Sequence, residues 1–205
     1  RGVPAVLKLN AMGRHFAMNA LGALAAVEAL SGDPGRAAVD LFRWKPSAGR
    51  GRRELISLDP DKSFQEFELI DDAYNANPAS MVAAFESLAS MQPAVVRTAS
   101  RKSRKIAILG DMLELGPNEI MYHTFLAKNS HLCSLDIVHC VGTRMRSCYD
   151  VLPVEIRGDW VKTAEEFKSK LQAMIMPGDM VLVKGSLGSN AVSYTHLRAH
   201  ETTSD

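Results

Sequence analysis

Beyond about residue 60 the sequence alternates between two periods, and that alternation restricts the fold more than anything else in it. "FQEFELID", "RKIAILGD", "LDIVHCVG" and "GDMVLVKGS" are apolar runs of strand length. Helix-patterned segments lie between them: "ASMVAAFESLASM", entered through Pro78, roughly residues 118 to 131, the stretch near "TRMRSCYDVL", and "FKSKLQAMI". Strands separated by helices require right-handed crossovers, so the prediction is an α/β fold with a mostly parallel sheet covered on both faces.

The first 50 residues read differently. "GRHFAMNALGALAAVEALSG" carries Leu21, Leu24, Ala25 and Glu28 at helical spacing, which predicts a helix over residues 16–31, largely buried on one side. "SGDPGRAAVDLFRW" starts with turn residues and continues as a second, shorter helix. Pro46, Gly49 and Gly51 then punctuate the chain, the best candidate for a domain boundary. The expected organisation is a remnant of one domain over 1–50, a second domain over 51–190, and a separate tail over 191–205.

Composition narrows the function classes. A formal net charge of +1 argues against nucleic acid or an anionic membrane surface as a partner. No apolar run approaches the roughly 20 residues needed to span a bilayer, so membrane insertion is not expected. Cys133, Cys140 and Cys148 have no CxxC spacing and form an odd set. They read as reduced thiols of a cytoplasmic protein rather than metal ligands. The opening "RGVPAVLKLN" has neither an initiator methionine nor a signal-peptide pattern and reads as the middle of a larger protein. "QPAVVRTASRKSRK" holds five basic residues and reads as a solvated loop. "VSYTHLRAHETTSD" follows no periodicity. Its His196 and His200 have zinc-like i, i+4 spacing without a further ligand nearby. The tail resembles translated adapter sequence, and no function is assigned to it.

Ligands of an open parallel sheet sit outside the carboxyl ends of its strands. Three predicted strands end in polar or glycine-rich groups: "IDDAYNANP", "ILGDMLELG" and "VKGSLGS". Each has a bland reading: a helix N-cap, a turn, a solvated lysine beside a loop. Three such ends in one sheet indicate a ligand crevice.

"GRHFAMNAL", the "GRG" near residue 50, "LIDDAYNANPASM", "IAILGDMLELG" and "VLVKGS" occur in that order. Together they resemble the C-terminal part of the Mur ligases of peptidoglycan synthesis, over roughly residues 3–190. The wording "DDAYNANP" followed by "LGDMLELG" is similar to the members that add D-alanyl-D-alanine. The resemblance implies a Rossmann-like C-terminal domain preceded by the last helices of a central ATPase domain. It also implies ATP and Mg2+ as cofactors, with UDP-N-acetylmuramoyl-tripeptide and D-alanyl-D-alanine as substrates. No GxxxxGK[ST] loop occurs in the chain, so the phosphate cradle, the groups that activate the carboxylate and most magnesium ligands are expected upstream. No residue of the chain is assigned a catalytic role.

Residue roles follow from the same resemblance. Asn19 matches an asparagine at the ATP adenine, whose ring edge a carboxamide can both donate to and accept from. His15 is equally a nucleotide contact or helix-start packing. Arg50 matches an arginine that reaches the nucleotide from the hinge, with Arg52 and Arg53 as neighbours that share the assignment. Asp72 matches the aspartate that takes the ribose hydroxyls. Tyr74 either lies against the nucleotide or packs with its hydroxyl satisfied. Asn75 and Asn77 read as loop organisers around the nucleotide contact, Asp71 as a loop holder, and Pro78 as a helix entry. Asp111 and Glu114 are expected to shape the second crevice loop, with Asp111 toward substrate. His123 either faces the crevice or packs. Lys184 and Ser186 are placed against the incoming dipeptide or its carboxylate. Two other readings stay open: a related ligase, such as another Mur ligase or a folylpolyglutamate synthetase-like enzyme, and a free-standing nucleotide-binding module.

Overall fold

The computed structural model describes residues 6–11, 13–59, 65–92 and 102–186. The tail expected over 191–205 and most of the basic loop lie outside the described residues. The chain divides into two compact units, Arg1–Ser47 and Ala48–Asp205.

In the first unit α1 (Arg14–Ala29) packs on α2 (Pro34–Arg43). Asp33 starts α2 by accepting the amides of Gly35 (2.8 Å) and Arg36 (3.2 Å), with Pro34 at the first helical position. The rings of Phe16 and Trp44 lie 5.7 Å apart. The expected buried side of α1 is not found: Ala20 is its one buried residue, and Met18 and Leu21 are exposed. The shorter α2 has no buried residue of its own, so the pair meets along a narrow seam. A single shorter neighbour cannot cover a whole helix face.

In the second unit the described strands form one sheet in the order β1-β2-β6-β3-β4-β5. They are β1 (Arg52–Ser57), β2 (Glu66–Asp71), β3 (Lys105–Gly110), β4 (Ile137–Val141), β5 (Arg157–Val161) and β6 (Met180–Lys184). All pairs are parallel except β1 with β2. Helices α3 (Pro78–Ser90), α4 (Glu119–Leu126), α5 (Ser130–Cys133), α6 (Arg146–Tyr149) and α7 (Ala164–Met174) complete the unit. The helix expected over residues 118–131 is split into α4 and α5, because Asn129 starts a new helix by accepting the amides of His131 and Leu132.

Strand periodicity sorts the core into two layers. Ala107, Leu109, Met180 and Leu182 face one side, with Phe85 and Leu88 of α3, Leu126 of α4 and Leu132 of α5. Ile106, Ile108, Val181 and Val183 face the other, with Phe167 of α7. Near-continuous apolar strands are what a doubly covered parallel sheet demands, and every residue of β6 is buried.

Two strands were not expected from the sequence, and both lie at edges of the sheet. The β1 segment opens with three charged residues before Leu55 and Ile56, so it lacks an apolar run, and an ion pair with β2 helps to hold it: Arg53 binds the buried Glu68. The β5 sequence "RGDWV" has weak strand propensity. Its Gly158 admits the neighbouring ring of His139: a Cβ there would stand 2.5 Å from the His139 Nδ1. The basic loop is also less solvated than expected at its end. Arg104 donates Nε (3.2 Å) and a terminal amine (2.6 Å) to the fully buried Asp179 carboxylate.

Candidate functional site

Register brings the carboxyl ends of β2, β6 and β3 together: Asp71 pairs with Val183, and Leu109 with Lys184. The loops that leave these ends are laced by side chains from one another.

The loop after β2 begins at Asp71, 4% exposed, whose Oδ2 accepts the Gly49 amide at 2.9 Å. Gly51 N donates to Asp71 O (2.7 Å) and Tyr74 N to Gly49 O (2.9 Å), so the segment before β1 is strapped to this loop. Gly49 has φ of 76°, and a Cβ there would lie 3.0 Å from that of Tyr74. Only glycine meets both conditions without strain. On this strap the Arg50 guanidinium lies 4.0 Å from the Tyr74 ring centroid, a cation–π stack with both residues exposed.

Lys184, at the end of β6, is 2% exposed. Its ammonium meets Asp72 Oδ2 at 2.8 Å and donates to Asn75 O (3.0 Å) and Asp72 O (3.4 Å). A buried ammonium needs such compensation. The resemblance implied a substrate contact for Lys184; the geometry gives it the loop of Asp72 as its partner. Asp72 keeps 24% side-chain exposure. Asn75 is exposed and its Oδ1 accepts the Ala76 amide. Asn77 caps α3 in a reciprocal box with Ser80, at 2.9 and 3.0 Å.

Asp111, beyond β3, is buried, and its carboxylate accepts the backbone amides of Met145 (2.8 Å) and Arg144 (3.3 Å). Gly142, with φ of 116°, makes room for it, since a Cβ would come within 2.3 Å of Asp111 Oδ1. Asp111 thus ties the β3 and β4 ends together and shapes the second crevice loop, one of the two roles that the resemblance implied for it. Arg144 also pairs with Glu119 at 2.6 Å. Ser186 N donates to Asp111 O (3.0 Å), and Ser186 Oγ accepts Leu113 N (3.0 Å). Of the two readings of His123, packing is the one found: it is wholly buried under the 111–113 loop. Glu114 is exposed with φ of 62°. His15 and Asn19 are exposed on α1 in the first unit. Among the described residues no group of three or more His, Cys, Asp or Glu could hold a metal ion.

Sequence reasoning missed the Gly49–Asp71 strap and the Asp111–Gly142 contact. Both depend on loops far apart in the chain, and the lone signal for either was a glycine beside a strand end.

Residues 51–187 match the family described as Mur ligase, glutamate ligase domain. The chain belongs to the Mur ligase family. Among curated Mur ligases it is 33% identical over 175 residues to the UDP-N-acetylmuramoyl-tripeptide–D-alanyl-D-alanine ligase of Rickettsia prowazekii, a match covering 85% of this chain and 35% of that one. The enzyme of the same name from Bacillus subtilis is 31% identical over 191 residues, covering 92% of this chain and 38% of that one. The chain therefore spans little more than a third of the length of these relatives. The MurF ligase of Thermotoga maritima, solved in complex with ADP, superimposes with a TM-score of 0.71 at 22% identity, over 95% of this chain and 40% of that one. The Mur ligase C-terminal domain fold follows, as the sequence resemblance implied.

Proposed function

We propose that this chain is the C-terminal part of an ATP-dependent amide ligase that adds D-alanyl-D-alanine to UDP-N-acetylmuramoyl-tripeptide in the cytoplasm. On this reading residues 1–50 end the central ATPase domain and 51–190 form the C-terminal domain. The observation that carries it is the laced strand-end crevice, with Asp72 anchored by a buried lysine, in a chain whose curated relatives bear that reaction's name. A carboxylate held in place at a strand end and still 24% exposed suits a ribose diol. The exposed Arg50–Tyr74 stack offers a planar cation beside it for phosphate or ribose oxygens. Asn19 is assigned to the adenine edge and His15 to the same nucleotide. Ser186 lies between the β2 and β3 loops, where an incoming dipeptide would be received.

Bound ATP would supply activation of the tripeptide's terminal carboxylate as an acyl phosphate with release of ADP, from which the dipeptide amine would displace phosphate to form the amide. Mg2+ would screen charge in the phosphoryl step. The described residues form no ligand cluster for it. This chain's residues bind and orient. Reactants held in attack geometry gain several orders of magnitude in rate, on the general scale of effective molarities.

The test uses the complete reading frame. An upstream GxxxxGK[ST] loop together with ADP release dependent on both substrates supports the ligase. A start codon immediately before Arg1, with nucleotide binding and no ligation, would replace it with a free-standing binding module.

A further inference from the structure

His123 is wholly buried in α4, yet both its ring nitrogens are satisfied. Nε2 faces the Met112 amide at 2.9 Å. Because a backbone amide can only donate, Nε2 must be the bare, accepting nitrogen. Nδ1 lies 2.7 Å from the Glu119 carbonyl and must therefore carry the proton. One neutral tautomer is dictated by its surroundings.

The amide it holds belongs to a segment without regular structure, between the end of β3 and a single 3-10 turn at Gly116–Asn118. The next amide along, Leu113 N, goes to Ser186 Oγ at 3.0 Å. Ser186 Oγ in turn reaches Ala76 O at 3.5 Å, and Ser186 N reaches Asp111 O at 3.0 Å. Consecutive amides of one loop are thus pinned to two different elements, His123 on α4 and Ser186 beyond β6. Releasing the first frees the peptide unit that aims the second.

We propose that His123 is a positioning residue: it fixes the Met112–Leu113 segment and, through Ser186, the relation between the β3 loop and the Asp72 loop. It touches neither nucleotide nor dipeptide. This rests on the reading of the strand ends as the ligase crevice.

The experiment compares the wild type with His123→Leu, which removes both polar contacts, and His123→Gln, which restores an acceptor for Met112 N. In the 205-residue chain, long-range proton–nitrogen correlation should show Nδ1 protonated and Nε2 bare. Hydrogen exchange at Met112 and Leu113 should quicken about tenfold or more in H123L and return most of the way in H123Q, the scale of one buried hydrogen bond. In the complete ligase, H123L should raise KM for the amine substrate about tenfold with kcat within about twofold, and H123Q should recover it. The opposite tautomer, unchanged exchange in H123L, or identical behaviour of the two variants overturns the proposal. So does an active H123L ligase with unaltered KM, which would leave His123 with no effect on the crevice. If the complete wild-type protein shows no ligation, the ligase reading fails by itself, and the tautomer and exchange results still decide whether His123 holds the loop.

Discussion

His139 should make the stability of this chain fall as the solution is acidified, by an amount that can be worked out in advance. Its imidazole points from β4 toward Phe167, with ring centroids 5.2 Å apart, and its Nδ1 accepts the Asp159 amide at 2.9 Å. Burial is the chief cause that lowers its pKa from 6.5 to about 4; Arg104 and Lys170 push the same way, and Asp159 opposes them. Because the folded pKa lies below the unfolded one, the unfolded chain takes up the proton first as pH falls. The contribution is fully present above about pH 6.5, declines through the interval down to about pH 4, and is flat below it. A gap of about 2.5 pKa units corresponds to about 3 kcal/mol in all, of which about 2 kcal/mol is already lost at about pH 5. Urea unfolding at several pH values measures this directly. His139→Asn removes the titration while retaining an acceptor for the Asp159 amide. The variant should show a markedly shallower decline between about pH 7 and pH 5, a range above most carboxylate titrations. Equal slopes for wild type and variant would refute the assignment.

Other expectations address the site and its supports. Asp72→Ala in the complete protein should raise KM for ATP about tenfold or more with the fold intact by circular dichroism; unchanged nucleotide affinity would sink the ribose assignment. Lys184→Met should cost about 2 kcal/mol in urea unfolding, less than for a fully enclosed pair because Asp72 can partly rehydrate, and a double variant with Asp72→Asn should cost less than the sum of the two singles. Gly142→Ala should destabilise by about 3 kcal/mol or more, since positive φ and contact with the Asp111 carboxylate act together. The 205-residue chain alone should release no ADP in the presence of both substrates, having no GxxxxGK[ST] loop.

The sheet was legible where burial forces composition. β2, β3, β4 and β6 lie inside the sheet, so their runs "FELI", "IAIL", "IVHCV" and "MVLV" are apolar almost throughout. The edges β1 and β5 need only one good face and a partner, and their sequences carry arginine, glycine and aspartate. Helix caps were partly readable too. The sequence reads Asn77 as a loop organiser and the structure makes it an N-cap, which is the same local chemistry, an asparagine oxygen serving nearby backbone amides.

By itself, then, the sequence determined the α/β alternation, the positions of the three polar strand ends, and the wording that links the chain to the Mur ligases. Those properties are set within a few residues of each other: period, propensity and turn chemistry are local. What only the tertiary structure decided is which polar group answers which. Lys184 and Asp72 are 112 residues apart, yet the parallel register of β2 and β6 places the ammonium against the carboxylate. Asp111 finds its amide partners 33 and 34 residues downstream, in the turn after β4. A side chain capable of touching a ligand is equally capable of holding a loop, and the choice between them is made by burial and strand order, which no local stretch of sequence contains.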